Sequence, residues 1–258
     1  MGVRINTNID ALNAQRNLGM SALSFSKSVE KLSSGLRINR AADDAAGLGI
    51  SETLRSQVKG LNQAVRNAQD GISLVQTGEG ALNEVSSMLQ RIRELAVQYA
   101  NGTNDTNAQA SIQAEADALQ TTMSAIGTNT KFNGVSLLTA NTITLQVGAN
   151  SGETQKVTTT ALDTSAAKVS DLSTIDSVIS TVSTQRAAFG AAQTALEHTV
   201  ASLGVAAENF SASESRIRDL DVASEMVNFT KTQIMQQAGT AILAQANQAP
   251  NSILSLLR

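Results

Sequence analysis

Cysteine and tryptophan are absent from the 258-residue sequence, and proline occurs once, at Pro250. Without cysteine the chain can form no disulfide and offers no thiol for catalysis. Aromatic residues make up only 2% of the chain, so a core must be built from aliphatic side chains, which suits helices packed at short range. Because the strongest helix breaker is confined to the C-terminal end, long helices are predicted.

Charge and hydrophobic runs exclude further classes of protein. Net charge is −3 and no block of lysine and arginine occurs, which argues against nucleic acid as a partner. No run of about 18 apolar residues is present, so we expect no membrane span. The N-terminal sequence MGVRINTNIDALNAQ lacks the apolar region of a secretory signal peptide, and none is expected.

Motifs for catalysis or cofactor binding are weak. A single histidine, His198, cannot form a HExxH metal site, and we expect it to be an exposed helix residue. The glycine pairs at 47 and 49 and at 78 and 80 follow no predicted strand and lack a third glycine, so we interpret them as helix-packing positions. Asp219 and Asp221 are expected to be solvated on a helix surface. We therefore predict no enzyme activity, no cofactor and no metal.

The longest pattern is an apolar stripe from Leu54 to Tyr99, which steps by four and three with a slip near Glu79. We predict one helix from about Asp44 to Tyr99, although each of its glycines costs roughly 1 kcal/mol relative to alanine. Asp43 and Asp44 are expected to accept hydrogen bonds from its first N–H groups. At about 1.5 Å per residue such a helix spans roughly 70 Å and requires equally long partners.

The clearest periodicity lies in the C-terminal half. Apolar residues recur every seven positions, as in a coiled coil: Val182, Phe189, Leu196, Leu203, Phe210 and Ile217. This helix is a fitting partner for the 54–99 stripe. Between the two, a helix is predicted over about 107–127, followed by a small β region over about 131–160 and a connector over 161–173.

Both ends of the chain are amphipathic, with apolar residues on more than one helix face. The predicted fold is mainly α: a long antiparallel coiled-coil-like helical bundle with a small β-hairpin region, plus paired terminal helices. The predicted domains are 44–217 for the bundle, and 1–43 with 218–258 for the terminal helices. Since isolated helices with open apolar stripes are marginal in water, we expect the terminal helices to be poorly ordered in the monomer.

Several stretches closely resemble bacterial flagellin. They are residues 32–39 (LSSGLRIN), 41–47 (AADDAAG), 66–73 (RNAQDGIS), 79–82 (EGAL), 90–98 (QRIRELAVQ) and the whole run 218–248, which begins RDLD and ends QANQ. The likeness covers about 1–155 and 175–258, so the chain looks like a short flagellin without the large variable outer domains that many members insert near 160–173.

The resemblance implies a structural subunit that self-assembles into the helical flagellar filament for motility. It implies that the chain is exported unfolded through the flagellum's own channel, and is secreted to the extracellular filament. Its implied partners are other copies of itself, hook-associated and cap proteins, the flagellar export apparatus and a chaperone. In this picture the terminal helices form an inner tube and the 44–217 bundle an outer tube.

Two sets of site residues are predicted. The apolar residues expected to pack between subunits are Leu18, Phe25, Val29, Leu32, Met226, Phe229, Ile234 and Leu254. The second set follows from the resemblance, which implies recognition by host Toll-like receptor 5 through Arg91, Leu95 and Glu115. By spacing alone, Arg91, Glu94 and Leu95 lie on or near one helix surface, where Arg91 and Glu94 could simply form an ordinary charge pair.

Two alternatives remain open at this point. A hook–filament junction protein of the same family shares the terminal helices and would form a capped oligomer that does not extend. A flagellin-like secreted enzyme is a more distant alternative, and the absence of an inserted domain and of a second histidine argues against it.

Overall fold

A computed structural model describes the backbone of residues 7–256 and the side chains of residues 7–248. Its elements, in chain order, are α1 (Ile9–Ser34), α2 (Ala45–Tyr99), α3 (Thr106–Asn129), β1 (Lys131–Phe132), β2 (Val135–Ser136), β3 (Asn141–Gln146), β4 (Thr154–Thr159), α4 (Leu172–Arg218) and α5 (Val222–Leu256). Long helices with two small antiparallel strand pairs confirm the predicted mainly α fold.

The predicted long helix is confirmed as α2, which runs unbroken through all its glycines. Asp44 precedes its first residue, and the Asp44 carboxylate accepts a hydrogen bond from Gly47 N at 2.8 Å, as expected for a helix cap. The same expectation for Asp43 is wrong. Its carboxylate turns back and accepts from the N–H groups of Asn39 and Arg40, so it stabilises the connector before the helix.

Contacts divide the chain into two units, one formed by residues 1–55 with 210–258 and the other by residues 56–209. The boundary falls within α2 and α4. The predicted division at 43/44 and 217/218 follows the ends of helices instead, and it stays a proposal about assembly.

In the 56–209 unit, α2 and α4 run antiparallel. Gly71 lies beside Leu196, Gly78 beside Phe189, and the Arg93 guanidinium contacts Asp176 at 2.7 Å, so position rises along one helix as it falls along the other. The core between the helices is aliphatic with one aromatic ring. Its largest fully buried side chains are Leu82, Leu89, Ile92, Leu95, Met123, Leu137, Ile175, Phe189 and Leu196.

Two α2 glycines explain how partners approach so closely. A Cβ built at Gly78 would lie 2.7 Å from Phe189 Cε2, and one built at Gly71 would lie closer still to Leu145 of β3. The interpretation of Gly78 and Gly47 as packing positions is confirmed, since each faces a side chain. It is wrong for Gly49 and Gly80, whose Cβ positions are open.

The β region is a hairpin in which β3 and β4 pair in register from Asn141–Thr159 to Gln146–Thr154. A buried glutamine ties its end to α4: Gln185 Oε1 accepts from Thr160 N at 3.1 Å and from Thr160 Oγ1 at 2.7 Å. The predicted connector after β4 is confirmed as a loop, although Thr164, Ala167 and Val169 within it are buried.

Candidate self-assembly surface

Helices α1 and α5 form an antiparallel pair in the unit built from the two chain ends. The rings of Phe25 and Phe229 stack with centroids 5.0 Å apart. Near one end of the pair, the Asn8 side-chain amide donates to Ala246 O at 2.7 Å. The prediction that the terminal helices pair is therefore confirmed for the described residues.

The positions of α1 and α5 that face each other follow a 3–4 spacing, as in a coiled coil. We call them the pair seam: Leu18, Ser21, Phe25, Ser28 and Leu32 on α1, with Phe229, Thr232, Gln236, Gly239 and Leu243 on α5. Ser21 and Ser28 are the most buried side chains of α1, at 8% and 5% exposed. The seam is thus narrow, and half of it is polar or small.

Many other large apolar side chains of the pair lie away from this seam and are exposed. Within residues 7–248, most of the exposed large hydrophobic side chains are on α1 and α5, and no hydrophobic side chain of these two helices is fully buried. We call the exposed large hydrophobic side chains of α1 and α5 the outer apolar residues: Ile9, Leu12, Met20, Leu23, Val29, Val222, Met226, Val227, Ile234, Met235 and Ile242. A helix pair that exposes these residues has a surface suited to another protein copy.

The predicted assembly residues fall into two groups. Leu18, Phe25, Leu32 and Phe229 belong to the pair seam and are half-buried within the chain itself. Val29, Met226 and Ile234 are outer apolar residues, 42%, 43% and 64% exposed. The side chain of the eighth, Leu254, lies outside the described residues.

Leu23, Val227 and Ile242 are 69%, 66% and 60% exposed but were not among the predicted assembly residues. The sequence indicated apolar residues on more than one face of each terminal helix, but the assembly residues predicted on α1 all came from one stripe. The available signal was the pair of serines seven residues apart, Ser21 and Ser28, which occupy the seam and thereby leave the larger residues outside.

The segment that follows α1 is hydrogen-bonded to the segment that joins α4 to α5. Leu36 and Asp219 form an antiparallel β-bridge, in which Arg37 N donates to Arg218 O at 2.7 Å and Leu220 N donates to Gly35 O at 3.0 Å. Gly35 ends α1 with a φ of 70°, a left-handed conformation that glycine adopts without strain. These bonds fix the point at which both chain segments leave one helix and enter the next.

The carboxylates expected on a helix surface lie in the segment that joins α4 to α5 instead. Asp219 is in the β-bridge, and Asp221 precedes α5, where its carboxylate accepts from Ser224 N at 3.1 Å. Both side chains are exposed as predicted, but the prediction that they lie on a helix is wrong. Asp221 caps the positive end of α5, which accounts for its position without a catalytic role.

An ion pair and several hydrogen bonds to carboxylates stabilise the α1–α2 connector. The Glu30 carboxylate accepts from Arg40 Nε at 2.7 Å and from Asn39 Nδ2 at 3.1 Å. The N–H groups of Arg40 and Asn39, with the nearby cations Lys31 and Lys27, lower the pKa of Asp43. The connector is therefore organised by the carboxylates of Glu30 and Asp43, each of which accepts two hydrogen bonds from its residues.

The predicted receptor residues are only partly brought together. Arg91 Nη2 lies 2.8 Å from Glu115 Oε1 on α3, and Arg91 Nη1 lies 3.0 Å from Glu94 Oε2, all on an exposed surface. Both carboxylates raise the pKa of Arg91, and Glu115 has the larger effect. The expectation that Leu95 shares this surface is wrong, because its side chain is 1% exposed in the core.

Other kinds of site are not found in the described part of the chain. Residues 7–248 hold no group of three or more metal-ligating side chains, and none of the described helices combines the length and apolarity of a membrane span. His198 is exposed on α4, as predicted.

A helix pair whose seam is half polar or small, and which exposes many large apolar side chains, is typical of a class of protein: helical subunits that pack against further copies. Family models agree with this class. The "Bacterial flagellin N-terminal helical region" matches residues 5–142 and the "Bacterial flagellin C-terminal helical region" matches residues 172–257. The chain belongs to the bacterial flagellin family.

Relatives match over nearly their whole length. The chain is 51% identical to a flagellin of Halalkalibacterium halodurans, over 98% of this chain and 99% of that one. It is 47% identical to a flagellar filament 33 kDa core protein of Treponema phagedenis, with the same coverage. The flagellin of Bacillus subtilis is 44% identical, over 99% of this chain and 100% of the relative.

Among solved structures, a Bacillus cereus flagellin crystal structure matches with a TM-score of 0.50 and 31% identity, over 54% of this chain and 88% of that one. The family assignment explains the sequence stretches that resembled flagellin, and the identity of the relatives favours a filament subunit over the hook–filament junction alternative.

Proposed function

We propose that this flagellin polymerises by burying the outer apolar residues of α1 and α5 against those of neighbouring copies. The chain is a structural subunit of the flagellar filament, and its function is mechanical rather than chemical. The proposal assigns the contacts that hold the filament to the unit formed by the two chain ends.

The observation that supports this proposal is that the most buried side chains of α1 are polar, whereas many large apolar side chains of the helix pair are exposed. Serines occupy the buried positions of α1, whereas Leu23 and Ile234 are 69% and 64% exposed. Burying such a side chain stabilises a contact by about 1.5–3 kcal/mol, at roughly 25 cal/mol per Å² of apolar surface. Several such side chains per copy supply a strong driving force.

Filament geometry follows if the contacts are head to tail. An apolar face that packs against a different face of the next copy, without closing a ring, extends indefinitely. In this arrangement the terminal helices, 1–43 and 218–258, form an inner tube and residues 44–217 an outer tube. The terminal helices are proposed to become fully ordered only on assembly, since the pair seam alone buries little apolar surface.

The remaining partners belong to the same proposal. Export unfolded through the flagellum's own channel, with a chaperone, would keep the outer apolar residues from associating before assembly. Hook-associated and cap proteins would contact the first and last copies of the filament. The location proposed for the assembled chain is outside the cell, in a filament that serves motility.

Seeded assembly tests the proposal. Purified monomer is mixed with short sheared filaments, pelleted and viewed by negative-stain microscopy. Long filaments are expected, and they would sediment in proportion to added monomer. A soluble monomer would overturn the proposal, and a small closed oligomer that does not extend the seeds would favour the junction-protein alternative.

A second function, activation of Toll-like receptor 5 by the monomer, is favoured by the exposed pair of Arg91 and Glu115. The guanidinium is held at 2.8 Å from a carboxylate of another helix, so its position on the surface is fixed before any partner arrives. Leu95, buried in the core of the same unit, would support the fold that presents this surface rather than contact the receptor.

Arg93 provides the matched control for that test. It is an exposed arginine of the same helix, paired with Asp176 at 2.7 Å. Arg91→Ala is expected to reduce signalling in receptor-bearing reporter cells by tenfold or more, about 1.4 kcal/mol of binding, while Arg93→Ala leaves it nearly unchanged. Undiminished signalling by Arg91→Ala would refute the receptor assignment.

A further inference from the structure

We infer that Met20, Met226 and Met235 are oxidation-sensitive positions of one surface, and that their conversion to methionine sulfoxide in the free subunit prevents assembly. The inference rests on the proposed assembly through α1 and α5. The oxidant is a two-electron oxidant of the peroxide or hypochlorous acid class. Hydrogen peroxide transfers one oxygen atom to the thioether sulfur, and water is released.

Composition makes methionine the principal target of such oxidants. The chain has no cysteine, no tryptophan, one tyrosine and one histidine, against six methionines. Thioether sulfur is therefore the most readily oxidised group that the chain presents.

Burial then separates the methionines. Met20, Met226 and Met235 are 54%, 43% and 47% exposed, whereas Met123 is 0% exposed in the core of the 56–209 unit. Met88 is half-buried against that same core. All three exposed methionines of the described residues thus lie on α1 and α5, among the outer apolar residues.

Position within the pair adds a second reason. Met20 and Met235 line one open groove between α1 and α5, together with Ser24, Lys27 and Lys231. A sulfoxide there could accept hydrogen bonds from hydroxyl or ammonium groups in the monomer, so the oxidised chain would stay folded and soluble. The same polar oxygen would be left without water when a neighbouring copy covers the groove.

Assembly should in turn protect these residues. A side chain that is covered by a neighbouring copy is removed from dissolved oxidant, so the three methionines are expected to oxidise rapidly in the monomer and slowly in the filament. Met123 is expected to oxidise slowly in both states, because it is buried within one chain.

The test treats monomer with hydrogen peroxide and measures the sulfoxide at each methionine by peptide mass spectrometry. The treated and untreated proteins are then compared in seeded assembly. Oxidation at positions 20, 226 and 235 should precede oxidation at 123, and the subunit concentration left unassembled should rise by about tenfold or more. Methionine sulfoxide reductases should restore assembly.

Variants supply the controls. The triple variant Met20→Leu, Met226→Leu and Met235→Leu keeps apolar volume and helix propensity, and it should assemble after peroxide treatment as well as before. Met88→Leu should remain sensitive. Far-UV circular dichroism of the treated monomer verifies that the helices persist.

Each outcome decides one question. If untreated monomer fails to extend seeds, the proposed assembly is wrong. If untreated monomer extends them and fully oxidised monomer does so equally well, or the triple variant loses assembly on treatment as much as the parent chain, the methionine inference is overturned.

Discussion

The 56–209 unit and the α1–α5 pair differ in where most of their large apolar side chains lie. In the 56–209 unit, large side chains such as Phe189 and Leu89 are fully buried, and exposed positions are mostly polar. In the α1–α5 pair, serines hold the buried positions and Leu23 and Ile234 face outwards. The first unit has a hydrophobic core of its own, whereas no hydrophobic side chain in the described part of the pair is fully buried, as expected if further copies cover it.

This contrast separates stability from assembly. Substitutions in the core of the 56–209 unit should change its free energy of unfolding, since its contacts lie within one chain. Substitutions of outer apolar residues should change polymerisation while leaving that unit folded. Phe25→Asp would change both the stability of the helix pair and its assembly, because Phe25 stacks on Phe229 of its own chain. It therefore cannot separate the two effects.

The largest effect is expected for Ile234→Asp. The change replaces an exposed apolar side chain with a charge that every subunit contact would have to bury, so the unassembled concentration should rise by about a hundredfold or more. Sedimentation after seeding measures it.

Two controls accompany this variant. Ile234→Leu should assemble normally, and Gln233→Asp places the same charge on the neighbouring residue, which is polar and exposed. If Ile234→Asp forms filaments at the same concentration as the parent chain, the proposed assembly through the outer apolar residues is wrong.

Phe189→Ala tests the hydrophobic core of the 56–209 unit. Removing a fully buried ring leaves a cavity and should destabilise the 56–209 unit by about 3–5 kcal/mol. The single tyrosine, Tyr99, packs against this core, so its fluorescence during urea unfolding reports on that unit. A loss below about 1 kcal/mol would mean that the ring is not a core residue.

Two glycines of α2 sharpen the account of that core. Gly78→Ala places a Cβ 2.7 Å from Phe189 Cε2, and overpacking of about 1–3 kcal/mol should outweigh the gain in helix propensity. Gly80→Ala meets open space and should stabilise by about 1 kcal/mol. Urea midpoints that move in the same direction for both variants would contradict the proposed packing.

The smallest effect concerns pH and the connector between α1 and α2. The N–H groups of Arg40 and Asn39 lower the pKa of Asp43 from its usual 3.8, so the carboxylate stabilises the connector above that pH. The contribution is lost as pH falls through the lowered value. Protection of the Asn39 and Arg40 amides against exchange should therefore drop below about pH 4, and the Asp43→Asn variant should show no such step.

Much of the fold followed from periodicity. The stripe over 54–99 and the heptads over 175–217 predicted α2 and α4 because burial of one helix face imposes its spacing on the sequence. Helix ends were less predictable. Asp43 and Asp44 are identical side chains, yet only Asp44 caps α2, since the choice depends on how the preceding loop turns.

The candidate site shows a different limit. Apolar residues such as Phe25 and Ile234 look alike in a sequence stripe, although one contacts its own chain and the other faces outwards. Which face is internal depended on Ser21 and Ser28, residues that hydrophobic patterns ignore. Likewise Leu95 follows Glu94 directly, but the turn of the helix places it in the core.

Thiol accessibility shows whether the outer apolar residues are covered in the filament, and the chain has no cysteine of its own to interfere. An Ile234→Cys variant is labelled with maleimide as monomer and as filament, beside Ala166→Cys in the exposed part of the connector after β4. The account predicts rapid labelling of both in the monomer, and at least tenfold slower labelling at position 234 alone in the filament. Equal labelling of position 234 in monomer and filament would contradict assembly through the outer apolar residues.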